Sequence, residues 1–255
     1  MMLPAEFLIY PFAHRTLHDL AAGRPENSLA GARAALAAGY AMEIDLQLSK
    51  DGQPMVFHDY SLDRVTQEHG PVAQRTAQEL GQIRLSGTQE SIPTLEEFLD
   101  LVAGQVPLLV EIKDQDGALG PNTGIMEKAV CDIIKTYKGP LALMSFNPHS
   151  IAKCAEYAPD IPRGLVTDTF STEKWGIMPR ARLDELVSIP DYDRVGASFI
   201  SHNWQNLDAE PVARIRAQGG IVLSWTIRSQ QQEEQAREKS DNVTFENYFA
   251  ATKAA

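Results

Sequence analysis

The sequence contains little of what marks several large classes of protein. Its 255 residues include only two cysteines, Cys131 and Cys154, which form no CxxC pair and so exclude a disulfide framework. No apolar run reaches the ~20 residues that span a membrane, and residues 1–15 lack the basic and apolar parts of a secretion signal. We therefore expect two reduced core thiols, a cytoplasmic protein and no stable insertion into a membrane.

Positive charge is also scarce. The chain has 23 Lys and Arg residues against 34 Asp and Glu, a formal net charge of -11, and no basic cluster. Because a nucleic-acid partner requires a basic face, we expect none. A small anionic substrate is compatible with this charge where local cations or a metal line its site. The sequence gives no indication of the oligomeric state.

Short apolar segments alternate with helical ones along the chain. The strand candidates are FLIYPFA, AMEIDLQ, PMVFH, PLLVEIK, LALMSF, RGLVT, ASFIS and GIVLSWT. Several segments between them have helical spacing of apolar residues, and Thr94 and Glu97 have the spacing of a capping box. Eight strands alternating with helices predict an α/β fold with a parallel sheet and favour its closure into a (β/α)8 TIM barrel, with residues 1–255 as a single domain. The alternative, an open doubly wound sheet, would normally carry a Gly-rich loop after its first strand, where this chain has HRTLHDL.

Two carboxylates interrupt the apolar second strand. Alternate side chains of a strand share a face, so Glu43 and Asp45 lie opposite Met42 and Ile44. A buried carboxylate needs a partner, and oxygen ligands suit hard cations such as Mg²⁺ or Ca²⁺. Pairing with neighbouring Lys or Arg, or a strand end open to water, is the simpler alternative.

Polar residues gather at the ends of the first four strand candidates, the face where barrel enzymes place their chemistry. The first strand ends in His14 and Arg15, the third in His58, and the fourth carries Glu111 and Lys113. Three carboxylates can hold one divalent cation, Arg and Lys can bind a phosphate, and two histidines can act as base and acid. Together these residues predict cleavage of a phosphate ester.

The motifs AHR, PENS, AGYAMEIDLQLSKDGQPMVFHDYSLDRVT, IPTLEEFL and VEIK, in this order, resemble the glycerophosphodiester phosphodiesterase family. The similarity is dense from Phe12 to Thr66, returns at residues 92–113 and is thin afterwards, although SWTIR looks like the family's last barrel strand. The resemblance implies a metal-dependent (β/α)8 barrel that hydrolyses glycerophosphodiesters to glycerol 3-phosphate and an alcohol. The resemblance implies that Glu43, Asp45 and Glu111 bind one divalent cation, Mg²⁺ or Ca²⁺, and that His14 and His58 are the acid–base pair. It also implies that Arg15 and Lys113 bind the phosphate and that Trp225 packs against the carbon atoms of the substrate. Glu26 and Asn27 would support the mouth of the first strand.

The chain departs from the family pattern at several points that concern the choice of substrate. Thr16 stands where the family usually has Gly after His-Arg, TLHDLAAGR is added before PEN, and DNVTFENYFA replaces a C-terminal Asp-Gly motif. The polar segment 60–93 lies where the family often carries a small insertion after the third strand, over the active-site mouth.

Three other functions are compatible with parts of the pattern. One is a lysophospholipase D-like or other phosphodiesterase of the same superfamily that acts on a different diester. Another is a metal-dependent sugar isomerase or aldolase-like barrel, and the last is a binding barrel that has lost catalysis. The residues leave open the headgroup of the substrate, the identity of the metal, the order in which the histidines act, and whether water or a neighbouring hydroxyl attacks first.

Overall fold

The structure is a computed structural model that describes residues 2–176 and 178–252. Its strands are β1 (Phe12–Ala13), β2 (Ala41–Leu48), β3 (Pro54–Val56), β4 (Leu108–Ile112), β5 (Leu141–Ser145), β6 (Arg163–Thr167), β7 (Phe199–Asn203), β8 (Ile221–Ile227) and β9 (Asn242–Phe245). Its α-helices are α1 (Glu6–Ile9), α2 (Leu29–Ala38), α3 (Ala77–Leu80), α4 (Leu95–Val102), α5 (Ile125–Ile134), α6 (Pro148–Tyr157), α7 (Thr172–Trp175), α8 (Arg180–Val187), α9 (Glu210–Ala217) and α10 (Gln230–Arg237). Short 3₁₀ helices lie at Leu20–Ala22, Val72–Gln74 and Trp204–Asn206.

Eight of the strands form a closed parallel barrel, which confirms the predicted fold class. Each strand except β3 pairs in parallel with two neighbours, and β1 closes the ring because Phe12 pairs with Ala41 of β2 and with Thr244 of β9. Crossover helices between parallel strands place the helical layer outside this ring.

One of the eight predicted barrel strands is wrong, and one strand of the barrel was missed. PMVFH contributes β3, which pairs antiparallel with β2 and lies outside the ring. The eighth barrel strand is instead β9, so SWTIR belongs to the next-to-last strand. The predicted first strand is also shorter than expected, since most of FLIY forms α1, whose Phe7 packs with Leu3 among the side chains inside the barrel.

The barrel interior is filled by side chains from alternating strand positions. Leu109, Met144, Val166 and Phe199 belong to this inner cluster. Gly164 of β6 has no room for a side chain, because an added Cβ would overlap the Phe199 ring. The interior is therefore a packed core that closes the floor beneath the barrel mouth.

The segment after β3 has a small core of its own. Its buried apolar side chains are Met55, Phe57, Leu62, Val72, Leu80, Leu85 and Ile92. That this segment is an insertion after the third strand stays a prediction. That segment 60–93 covers the active-site mouth stays a prediction.

The structure confirms the predicted capping box and the two predicted reduced cysteines. Thr94 and Glu97 form the predicted capping box at the start of α4. Cys131 and Cys154 are free and buried. Within the described residues, no helix has the length and apolar character required to cross a membrane. The cytoplasmic location and the lack of a nucleic-acid partner stay predictions.

Candidate active site

The carboxylates of Glu43, Asp45 and Glu111 meet at the carboxyl ends of β2 and β4. The parallel register places Asp45 opposite Glu111, and all three residues are buried, with 2%, 1% and 6% of their surface exposed. One oxygen from each lies within 4.8 Å of the others, a spacing that suits a shared cation.

The charges around this triad fit a divalent cation. Lys113 is bonded to both Asp45 and Glu111 through Nζ, at 2.7 Å from an oxygen of each. Burial, together with the neighbouring Asp45 and Glu111, raises the pKa of Glu43 well above its ordinary value. Lys113, together with the Arg15 guanidinium 3.5 Å from Asp45, supplies less positive charge than three carboxylates carry, and a divalent ion bound to them would supply the rest.

Each of the two predicted histidines is paired with a carboxylate through Nδ1. His14 Nδ1 lies 2.5 Å from Glu246 Oε2, and His58 Nδ1 lies 2.5 Å from Asp59 Oδ1. Although burial raises the pKa of Glu246, the hydrogen bonds with His14 and His18 outweigh it and hold that pKa well below its usual range. In each pair Nε2 is the ring nitrogen left for a substrate.

A sharp turn after β1 carries Arg15 into the site. Arg15 and Thr16 have φ angles of 51° and 73°, and the Arg15 amide donates to Glu43 Oε2 at 3.0 Å. The guanidinium donates to Glu26 through Nη1 at 3.0 Å, and Nε is buried without a hydrogen-bond partner, 3.5 Å from Asp45.

Thr16 fits in this left-handed turn because helix α2 leaves space beside it. An added Cβ at Gly31 would overlap the Thr16 hydroxyl. Thr16, which stands where the resemblance leads us to expect Gly, therefore occupies space that Gly31 of α2 leaves free.

The PEN motif holds the turn at Arg15 and Thr16 through hydrogen bonds from Asn27. The Asn27 amide donates to the Arg15 carbonyl at 2.8 Å, and Asn27 Nδ2 donates to Asp45 Oδ2 at 2.9 Å. Arg64, from the segment after β3, bonds both Glu26 and Asp59, with distances from 2.6 to 3.1 Å. The supports of Arg15 and of His58 are thereby joined.

A cavity of about 170 Å³ opens between these groups. Its charged wall is formed by His14, Arg15, Glu43, His58, Glu111 and Lys113. Its apolar wall is formed by Met144, Phe146, Val166 and Trp225. The Trp225 ring meets Phe146 edge to face at 5.7 Å, and its Nε1 donates to the Ser201 carbonyl at 2.9 Å, which fixes the indole.

The structure brings together all eight residues singled out from the sequence. Seven line the cavity, and Asp45 lies just behind it in contact with Lys113. Sequence reasoning missed Glu246, Arg64 and Phe146 as parts of the site. Asp59, which follows His58 in the sequence, was given no role either.

Carboxylate-bound histidines beside arginine and lysine, at the carboxyl ends of barrel strands, are typical of an enzyme that performs acid–base chemistry on an anionic substrate. The comparison with known families narrows this class. The chain belongs to the glycerophosphoryl diester phosphodiesterase family, whose model matches residues 14–244. It is accordingly a phosphoric diester hydrolase.

The chain is also similar to proteins that are named glycerophosphodiester phosphodiesterases. A glycerophosphodiester phosphodiesterase of Caldanaerobacter subterraneus subsp. tengcongensis is 30% identical over 215 residues, which cover 80% of each chain. One of Bacillus subtilis is 26% identical over 210 residues, which cover 74% of this chain and 67% of the relative.

Solved structures agree with the fold. A phosphodiesterase of Oleispira antarctica, in complex with the product sn-glycerol-3-phosphate, is similar with a TM-score of 0.77 and 25% identity. That similarity covers 96% of this chain and 94% of the other. A glycerophosphodiester phosphodiesterase of Thermotoga maritima, with a TM-score of 0.69 and 22% identity over 93% of this chain and 94% of its own, shares the fold.

Proposed function

We propose that this enzyme hydrolyses glycerophosphodiesters to glycerol 3-phosphate and an alcohol, with one divalent cation, Mg²⁺ or Ca²⁺, and two histidines as acid and base. The observation that carries the proposal is the single cavity that has the carboxylate triad and both histidine–carboxylate pairs around it. The names of the relatives, and the product bound in the Oleispira antarctica structure, support the substrate class.

The charged wall would bind the phosphodiester. Glu43, Asp45 and Glu111 would hold the cation, which when bound neutralises charge on the phosphate oxygens. The Arg15 guanidinium is held by Glu26 and lies 3.5 Å from Asp45, and Lys113 is fixed between two carboxylates. Both side chains line the cavity and supply positive charge to the same group.

The two histidines would move the protons. One takes a proton from the nucleophile, which is either water or the neighbouring hydroxyl of the glycerol moiety, and the other gives a proton to the leaving alcohol oxygen. In both residues a carboxylate occupies Nδ1, so that Nε2 is the nitrogen left to perform the transfer. Attack by the neighbouring hydroxyl would form a cyclic phosphate that water then opens.

The apolar wall would receive the carbon atoms of the substrate. Phe146 and Trp225 present two fixed ring surfaces opposite the charged wall. Apolar burial there orients the diester and excludes water from the reacting phosphate.

The decisive experiment follows release of glycerol 3-phosphate from glycerophosphocholine and glycerophosphoethanolamine. We expect activity to disappear with EDTA and to return with Mg²⁺ or Ca²⁺, which would also identify the ion. Phosphorus NMR of the products would detect a cyclic phosphate if the neighbouring hydroxyl attacks. If neither diester released glycerol 3-phosphate with any metal, the proposed substrate class would be wrong.

A further inference from the structure

We infer that Glu246 is the positioning residue of His14, an inference that rests on the proposed function. Glu246 follows β9 directly and lies 232 residues from His14 in the chain. The closing pair of strands brings them together, because Ala13 is in register with Phe245 and the His14 amide donates to the Phe245 carbonyl at 2.8 Å.

The backbone and one carboxylate oxygen of Glu246 are fixed by the neighbouring strand β8. The Glu246 amide donates to the Ile227 carbonyl at 2.9 Å. Arg228 Nε donates to Glu246 Oε1 at 2.7 Å. The other oxygen, Oε2, is thereby left for His14 Nδ1 at 2.5 Å. The Glu246 side chain is only 12% exposed, so water competes little for this bond.

The bond matters because a second carboxylate lies near the other side of the ring. His14 Nε2 is 4.0 Å from Glu43 Oε2, and Glu43 is one of the three residues that would hold the cation. A ring released from Glu246 could turn and bond Glu43 through either nitrogen. With Glu246 in place, the carboxylate accepts a hydrogen bond from Nδ1–H, which selects the tautomer with an unprotonated Nε2.

A second histidine, His18, also lies close to Glu246. It lies in the added segment TLHDLAAGR, and its Nε2 is 3.7 Å from the same oxygen that bonds His14. One carboxylate therefore serves two imidazoles, with the shorter contact to His14. The shorter contact is the one that would orient a catalytic group.

The test compares Glu246→Gln with Glu246→Asp on glycerophosphocholine. A glutamine can donate its amide proton to Nδ1 and so favours the wrong tautomer. We expect kcat to fall by at least about 10²-fold with KM within about threefold. The aspartate variant, which keeps the charge, is expected to recover part of kcat. Asp241→Asn removes a carboxylate at the opposite end of the same strand, where Asp241 bonds the Val222 amide, and serves as the matched control.

The tautomer of His14 can be measured directly on the wild-type protein, without a substrate and without a variant that could misfold. Two-bond ¹H–¹⁵N spectra of the imidazoles report which nitrogen of His14 carries the proton. We expect Nδ1 protonated and Nε2 free in the wild type, and the opposite tautomer in Glu246→Gln. The inference would be overturned by a wild-type His14 protonated at Nε2, or by a Glu246→Gln variant with kcat within about threefold of the wild type. Failure of the wild type to release glycerol 3-phosphate would instead count against the proposed function alone.

Discussion

The half of the barrel mouth built from residues 14–113 differs from the half built from residues 144–226 in the way its side chains are held. In the first half every charged group is tied to another, as Lys113 is to Asp45 and Arg15 is to Glu26. In the second half most side chains that face the cavity are apolar and are held by ring packing, and Arg228 and Thr244, which follow this half in the chain, also line the cavity. On the proposed mechanism, most of the reaction chemistry therefore lies in the first half and the substrate fit in the second, with Glu246 after β9 as the exception.

This separation has a physical reason. Buried charges are tolerated only when each has a partner, so a change at one of them disturbs several others. Apolar side chains contribute by area and shape, so their effects are smaller and more local. Substitutions in the two halves should therefore differ both in size and in the kinetic constant that they change.

The largest effect is expected for Glu111→Gln in the charged half. The change removes one carboxylate of the proposed cation site and one of the two carboxylates bonded to Lys113. We expect metal affinity, measured by calorimetry with Mg²⁺ and Ca²⁺, and glycerol 3-phosphate release to fall by at least about 10²-fold. Asp132→Asn, on the surface of α5, is the control. Unchanged metal affinity would remove Glu111 from the proposed ligand set.

A loss of about 10²–10⁴-fold in kcat is expected for His58→Ala, since the variant lacks one of the two proposed proton-transfer groups. The measurement is steady-state hydrolysis at saturating metal. His149→Ala, which changes a histidine at the start of α6 outside the cavity, is expected to retain activity. Full activity of His58→Ala with added metal would contradict the assignment.

The backbone turn beneath the charged half can be tested by a double-mutant cycle. Gly31→Ala should lower the free energy of unfolding by about 1–3 kcal/mol, because the new methyl group overlaps the Thr16 hydroxyl. Thr16→Gly removes that overlap and suits the φ of 73°, so the double variant should recover most of the loss. Urea unfolding of the four proteins measures the coupling, and strictly additive effects would show that the two positions do not share this space.

The smallest effect is expected in the apolar half. Trp225→Ala should raise KM about 10-fold, equivalent to about 1.4 kcal/mol of binding, and leave kcat within a few-fold. Trp225→Phe, which keeps a ring against Phe146, should lie between this variant and the wild type. A fall in kcat as large as that of His58→Ala, at constant KM, would erase the distinction between the two halves.

The charged half is also the half that the sequence predicts well. Glu43, Asp45, Glu111 and Lys113 follow from strand alternation, because residues two apart share a face wherever the strand lies in the fold. The pairing of Glu246 with His14 depends on barrel closure across almost the whole chain. Its strand, NVTF, has four residues with only two large apolar side chains, too short a pattern to be recognised without its neighbours.

The strand β3 was predicted as a barrel strand but lies outside the barrel. PMVFH has the composition of a barrel strand, and only its direction relative to β2 places it outside the ring. The predicted count of eight was right although one member was wrong, because the true eighth strand was missed.

The closure between β1 and β9 sets the order in which a newly made chain can become active. His14 leaves the ribosome more than two hundred residues before its partner Glu246. Asn242 also ties the last strand to the first helix, by donating to the carbonyls of Phe7 and Tyr10 at 2.8 and 2.7 Å. A chain cut short before residue 242 would have most of the charged wall but neither a closed barrel nor an oriented His14. On the proposed mechanism, products of translation or proteolysis that end before residue 242 would carry the motif residues of the charged wall without the oriented His14 on which turnover depends.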